Sequence, residues 1–182
     1  MQPWAAEFYK AAREGKPDLY EDGRDELDPS YNCFPPGTPR VFTIPRPFEI
    51  RQFPDLVLLL FETDHAVRRI YMDGRTHKGM YPTYNGHSIG KYDGDTLVVD
   101  TAALKDLTWI DTMGHVHSDE LHFVERIRRP DPNTLTIDMT FEDPKMYTKP
   151  WGGRIAFKLK PDGELEERVN CEDRWLFKSR SY

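Results

Sequence analysis

Three histidines and a carboxylate at an unexpected position lie between Asp111 and Arg129, where the chain reads DTMGHVHSDELHFVERIRR. If residues 121–127 form a strand, alternation with period two places four side chains on one face: Leu121, Phe123, Glu125 and Ile127. A carboxylate on such an apolar face is costly unless it is paired or protonated. Glu125 is therefore expected to be either the base of an acid/base site or one half of a structural ion pair with an arginine.

Two histidines, His115 and His117, would lie on the same side of an extended segment. Their spacing suits zinc or another divalent metal if a third ligand is added, such as Glu125, His65 or His87. A lone pair of histidines is a common coincidence, and the alternative is two loop residues making ordinary hydrogen bonds. We therefore expect no cofactor, with a divalent metal such as zinc at His115 and His117 as the alternative.

Nucleophilic catalysis and nucleotide binding have little support in the sequence. Ser88 directly follows His87, but the chain has no G-x-S-x-G elbow and no glycine-rich phosphate loop. Acid/base chemistry is what remains.

The residues suited to acid/base chemistry predict a cofactor-independent enzyme of the lyase, dehydratase, isomerase or cyclase type, acting on a small, partly apolar molecule. The candidate catalytic residues are Glu125, His87, His115, His117 and Asp111. The candidate substrate-binding residues are Arg69, Tyr71, Trp109, Tyr147 and Trp151. Arg69 is expected to neutralise either Glu125 or a substrate carboxylate, or else to be solvated. The alternative functions are a non-catalytic carrier of a small hydrophobic ligand and a metal-dependent enzyme.

Short alternating segments separated by turn residues must position these side chains. Nine segments are predicted to be strands: 48–52, 56–62, 66–72, 87–92, 96–101, 121–127, 134–141, 154–160 and 164–171. Asp93-Gly94 and Pro161-Asp162-Gly163 are typical hairpin turns. The pattern predicts an all-β fold, an antiparallel up-and-down barrel of the lipocalin or calycin kind with a ligand cavity inside. A two-sheet β-sandwich is the alternative, and residues 73–85, 104–116 and 142–153 are expected to form loops at the mouth.

The N-terminal part differs in composition from the rest. Residues 3–14 have the apolar spacing of a short amphipathic helix that ends at Gly15. Residues 16–39 are rich in proline, glycine and acidic residues and predict an extended arm. We expect one domain over 1–182, with the helix and arm in 1–40 and the barrel in 41–182. Cys33 and Cys171 are predicted to form a disulfide that anchors the arm to the last strand.

Composition restricts the partners. The net charge of -6 and the absence of any Lys/Arg run argue against a nucleic-acid partner. The longest apolar run, 56–61, is too short to span a bilayer, and no signal peptide is recognised at the N-terminus. We expect a small-molecule ligand and no membrane partner, and leave a homodimer open.

Several motifs together resemble a widespread family of uncharacterised, often exported bacterial proteins. They are CFPPGTPR at 33–40, GHSIG at 86–90, GDTLVVDT at 94–101 and GHVHS at 114–118. The resemblance covers most of the chain and implies relatedness, with no assigned reaction. Because many members look exported, we favour a processed periplasmic or secreted protein over a cytoplasmic one.

Overall fold

Eight strands form one sheet in a computed structural model that describes residues 1–14 and 28–166. The strands follow each other in the sheet in chain order: β1 Phe48–Gln52, β2 Leu56–Phe61, β3 Val67–Tyr71, β4 His87–Asp93, β5 Thr96–Ala102, β6 His122–Asp131, β7 Thr134–Glu142 and β8 Trp151–Lys158. The helix α1 spans Pro3–Glu14, as predicted, and two 3₁₀ turns cover Pro29–Asn32 and Arg40–Thr43. The sheet curls into a half-barrel, which confirms the all-β, barrel-like prediction.

Alternation along the strands defines an inner face, lined by the core, and an outer face. On β2, Val57, Leu59 and Phe61 are buried, and the residues between them are only partly covered. On β7, Ile137 and Met139 point to the same core. Each fully buried aliphatic or phenylalanine side chain contributes about 1.5–3 kcal/mol through removal from water, so this pattern fixes which face of each strand turns inward.

Aromatic rings connect the two edge strands of the half-barrel. Phe42, from the second 3₁₀ turn, packs within 6.3 Å, centroid to centroid, of Phe48 on β1, Phe61 on β2 and Phe157 on β8. The rings of Phe48 and Phe157 also meet edge to face at 4.9 Å. In the described part of the chain no backbone pairing joins β8 to β1, so this cluster is what links the two edges there.

One strand pair departs from the predicted meander. The pairing of β3 with β4 is parallel and joins Ile70 to Ser88 and Tyr71 to Ile89, whereas the other neighbouring strands are antiparallel. A parallel pair cannot be closed by a hairpin, so residues 72–86 form a crossover connection. The expected mouth loop 73–85 is therefore a crossover that returns the chain beside β3.

The last predicted strand and the disulfide are only partly within the described residues. Residues 164–166 are not in a strand, while 167–171, including Cys171, lie outside the described part. The strand at 164–171 and the Cys33–Cys171 pairing stay predictions. No helix in the described ranges is both long and apolar enough to cross a bilayer.

Candidate functional site

Glu125 points to the inner face, as alternation predicts, and is fully buried. Its hydrogen-bond partner in the described structure is Arg68 and not a histidine. Arg68 donates from Nη1 to Oε1 at 2.8 Å and from Nη2 to Oε2, and it is 1% exposed. The same guanidinium donates to Ser88 Oγ at 3.0 and 3.2 Å and to Thr101 Oγ1 at 2.9 Å.

We call Arg68, Glu125, Ser88 and Thr101 the inner network. Both charges are paired and the two hydroxyls are hydrogen-bonded to each other at 3.0 Å. This is the structural alternative foreseen for Glu125, with one correction: the arginine is Arg68, because Arg69 points to the outer face. Burial of a bidentate pair costs desolvation, which is offset only when the remaining polar atoms are also satisfied, as they are here.

The residues immediately beside the inner network lie on the outer face, because successive side chains of a strand point in opposite directions. Next to Arg68, Ser88 and Thr101 are Arg69, His87 and Asp100. His122, on β6, also lies on this face, where it bonds to Asp100. His77, in the crossover segment, also contacts this face through His87 and Asp100.

Four of these side chains form a hydrogen-bonded row, which we call the outer relay: His87, His77, Asp100 and His122. Nδ1 of His87 lies 2.8 Å from Nδ1 of His77, and Nε2 of His77 lies 3.2 Å from Oδ1 of Asp100. Nε2 of His122 reaches the same oxygen at 2.8 Å. Tyr71 stacks on the His87 ring at 5.4 Å between centroids.

The hydrogen bonds of the relay determine which ring nitrogen carries the proton in neutral His77 and His87. A carboxylate only accepts hydrogen bonds, so His77 donates its Nε2–H to Asp100 and keeps a lone pair at Nδ1. His87 then donates its Nδ1–H to that lone pair. The lone pair of His87 is consequently at Nε2, which is buried and has no hydrogen-bond partner in the described structure.

His87 is 8% exposed, and its environment favours the neutral imidazole. Burial lowers the pKa of His87 below its ordinary value of 6.5, and electrostatic interactions with His77 and Arg75 lower it further. Asp73 acts in the opposite direction but does not cancel these effects. His87 is thus an unprotonated base at neutral pH.

A cavity of about 540 Å³ lies against the outer face of β3 and the start of β4. Its walls include His87, Arg69, Tyr71 and the crossover residues Met80 and Tyr81. The volume is in the range of small-molecule sites. A smaller cavity of about 380 Å³, near Gln52 and Tyr92, is lined by neither a histidine nor a carboxylate.

The proline-rich motif at 33–40 supports one wall of the larger cavity. Gly37 has φ +66°, and a Cβ there would lie 2.3 Å from the carbonyl oxygen of Tyr84, so only glycine permits this close approach. Thr38 donates its N–H to that carbonyl and its hydroxyl to Oδ1 of Asn85. Gly86, with φ +65°, then turns the chain into β4 directly before His87.

The other predicted catalytic pair, Asp111 and His115, lies in a separate cluster with α1. Nδ1 of His115 is 2.6 Å from Oδ2 of Asp111, and the imidazole stacks on Tyr9 of α1 at 4.5 Å. Burial alone would raise the pKa of Asp111, but hydrogen bonds from His115 and the Met113 N–H outweigh it and leave the pKa below its usual range.

His117 is 2% exposed and has different hydrogen-bond partners from His115. Its Nε2 bonds to the Thr108 hydroxyl at 2.9 Å and its Nδ1 to the Ser118 carbonyl at 2.9 Å, so both ring nitrogens are occupied. No group of three or more His, Cys, Asp or Glu side chains within 1–14 and 28–166 is arranged to hold a metal ion. The metal alternative stays a prediction, without a converging ligand set in this region.

Three predicted substrate-binding aromatic residues belong to the same cluster and not to the cavity. Trp109 is 2% exposed and packs against Phe8 of α1. Burial raises the pKa of Tyr147, whose hydroxyl donates to the Val116 carbonyl at 2.8 Å. Trp151 begins β8 and packs 5.2 Å from the Tyr147 ring. These residues attach the helix and loops to the sheet.

Of the predicted residues, the structure brings His87, Arg69 and Tyr71 together at one cavity. Sequence reasoning missed His77, Asp100 and His122. The signal for Asp100 and His122 was present, since each is a polar residue at an outward position of an alternating strand. His77 had no such signal, because its place over β4 depends on the parallel return of the crossover.

No protein-family model, curated protein or solved structure matches the chain. The family resemblance therefore stays a prediction.

Proposed function

We propose that the protein is a cofactor-independent acid/base enzyme that moves a proton on a small, partly apolar molecule, with His87 as the base. What supports this most is one observation: Nε2 of His87 is buried, without a hydrogen-bond partner in the described structure, on a ring that lines the 540 Å³ cavity. A buried acceptor left unpaired costs about 1–3 kcal/mol, and a ligand C–H or O–H proton would use it.

The relay accounts for how the proton is held. When Nε2 of His87 takes a proton, the ring becomes an imidazolium whose Nδ1–H already points at His77. Asp100, bonded to the far nitrogen of His77, stabilises the positive charge through that ring. Tyr71 keeps the imidazole plane fixed by stacking, and His87 then returns the proton to the product.

The proposed base is His87 instead of Glu125. Glu125 is occupied by two hydrogen bonds from Arg68, whereas Nε2 of His87 has no hydrogen-bond partner in the described structure and the residue lines the cavity. A general base must reach its proton directly or through one water, so the residue at the cavity is the better candidate.

The test is incorporation of solvent deuterium. A panel of small ketones, 2-oxo acids and β-keto esters is incubated with the protein in D₂O, and loss of the C–H signal next to the carbonyl is followed by ¹H NMR. At least one compound should exchange faster than in buffer. His87→Gln should slow that exchange by about 100-fold or more, the usual contribution of a general base.

His65→Asn is the matched control, because His65 is an exposed histidine in the β2–β3 turn with φ +50°, which asparagine tolerates. It should leave the exchange rate unchanged. Equal exchange by His87→Gln and the parent protein would overturn the proposal. A panel compound that binds the cavity but never exchanges would favour the carrier function instead.

A further inference from the structure

Beside His87 the cavity presents a cation that no described residue neutralises. Arg69 lines the cavity and forms no ion pair or side-chain hydrogen bond within the described structure. The nearby Arg75 is different, since it is paired with Asp73 through Nε at 2.9 Å and lies over the Tyr71 ring at 3.6 Å. Arg69 is therefore the arginine at this site available to a ligand.

The parallel register brings Arg69 next to His87. Ile70 pairs with Ser88, so Arg69 and His87, one residue earlier on each strand, are neighbours across the two strands. Neighbouring strands lie about 4.8 Å apart, and both side chains point outward. A guanidinium and a basic imidazole nitrogen can thus act on atoms of one small molecule.

The rim of the cavity is apolar. Val67, Met80 and Tyr81 all line it and are all exposed, Tyr81 to 87%. Exposed apolar side chains grouped around a polar centre are typical of a binding site for a molecule with an apolar body.

The charges of the wall limit the ligand to one negative charge. Arg69 is the only arginine or lysine among the described residues that line the cavity, and Asp64 contributes a carboxylate to the same wall. A phosphate or dicarboxylate would bring a second negative charge without a second cation to meet it.

We infer that the substrate is a monocarboxylic acid with an aromatic or branched apolar body, bound through its carboxylate to Arg69 so that a neighbouring C–H lies at His87. This inference rests on the proposed function for the role of His87, but the recognition of the carboxylate is tested separately.

Three phenyl compounds that differ in charge test whether the site prefers one negative charge: phenylacetate, neutral phenylacetamide and doubly charged phenylmalonate. Their dissociation constants are measured by ¹H–¹⁵N NMR titration at neutral pH. Phenylacetate should bind at least about 10-fold more tightly than either of the others, as expected for one charge-assisted hydrogen-bonded pair.

Arg69→Gln should abolish that preference. Arg126→Gln is the matched control, because Arg126 is an exposed arginine on the outer face of β6, paired with Asp93 away from the cavity. It removes the same charge from the same face and should keep the preference. Equal binding of phenylacetate and phenylacetamide, or an unchanged preference in Arg69→Gln, overturns the inference, as does binding of phenylacetate weaker than about 10 mM.

The two proposals fail in different ways. If His87→Gln abolishes deuterium exchange while phenylacetate is not preferred, the substrate class is wrong and the base assignment survives. If phenylacetate is preferred through Arg69 but His87→Gln exchanges normally, carboxylate binding is supported and the enzyme assignment fails.

Discussion

The inner network and the outer relay lie on opposite faces of the same part of the sheet, but the inner network is closed by hydrogen bonds and the outer relay leaves one acceptor without a partner among the described residues. Arg68, Ser88 and Thr101 turn inward, and their sequence neighbours Arg69, His87 and Asp100 turn outward. On the inner face the two charges meet each other and the two hydroxyls are bonded. On the outer face the row of hydrogen bonds ends at a lone pair, Nε2 of His87.

This difference indicates that the inner network contributes to the stability of the fold, whereas the outer relay is suited to proton transfer. A closed network whose atoms are satisfied has nothing left to offer a ligand, and its effect is on folding. An open row with a neutral base at one end and a carboxylate near the other can accept a proton and share the charge. Substitutions in the inner network and in the outer relay test this division.

Breaking the inner network should lower stability more than any other change considered. Glu125→Gln keeps the shape of the side chain but leaves the Arg68 guanidinium buried without a counter-charge, and the free energy of unfolding should fall by about 3–5 kcal/mol. Chemical denaturation monitored by tryptophan fluorescence measures it.

A double variant tests the physical reason. Arg68→Met combined with Glu125→Leu removes both charges, and should recover most of the lost stability. A loss below about 1 kcal/mol in Glu125→Gln would contradict the structural role. So would a folded Glu125→Gln protein with normal stability and no deuterium exchange, which would return Glu125 to the position of base.

Changing Asp100 should affect the chemistry with little effect on folding. In Asp100→Asn the new amide can donate to Nε2 of His77, which reverses the tautomers along the relay and puts a proton on Nε2 of His87. We expect deuterium exchange to fall by about 10-fold, less than for loss of the base itself.

The ¹⁵N NMR signal of His87 Nε2 distinguishes this effect from a general loss of structure, since it should change from the bare to the protonated type. Asp95→Asn, an exposed carboxylate in the β4–β5 turn, is the control. An unchanged nitrogen signal in Asp100→Asn would show that the relay does not set the tautomer.

The smallest expected effect is on the titration of His87. Because its pKa lies below 6.5, the exchange rate should hold steady as the pH falls through 6.5 and decline only at the lower pKa. Stability follows the same sign: the unfolded chain takes up the proton first, so the contribution of His87 is present above pH 6.5 and is lost as the pH falls through the folded-state pKa.

His77→Gln removes one of the electrostatic interactions that lower the pKa of His87, so the titration midpoint of His87 in ¹H NMR should move upward. A midpoint at or above 6.5 in the parent protein would contradict the buried, neutral state of His87.

How much could be predicted from the sequence depends on the range of the interactions involved. The helix at 3–14 and the strands β1 to β7 follow local periodicity, which is sufficient when one face of an element is buried and the other is not. Glu125 was placed on the inner face by the same rule. Arg69 was one candidate for its partner, whereas the partner is Arg68, a difference of one residue that exchanges the faces of β3.

The site was less predictable because the segments that connect the strands bring its residues together. His115 and His117 are close in sequence, yet they bond to different neighbours. His77 and His87 are separated by the crossover but meet at 2.8 Å. A mouth loop at 73–85 leading to an antiparallel neighbour was expected after β3, whereas the parallel return of the crossover brings His77 to β4. Such a choice is decided by tertiary packing, which periodicity does not record.

The parallel junction of β3 with β4 also has a mechanical consequence. Only Ile70–Ser88 and Tyr71–Ile89 are in register there, so the pairing between β1–β3 and β4–β8 is short. On the inner face, Arg68 of β3 connects the two groups of strands through its hydrogen bonds to Ser88 and Glu125. On the outer face, Arg69 belongs to the first group and His87 to the second. A ligand bound to both side chains would add a second connection, and its binding should slow amide hydrogen exchange at the β3–β4 pairing more than elsewhere in the sheet.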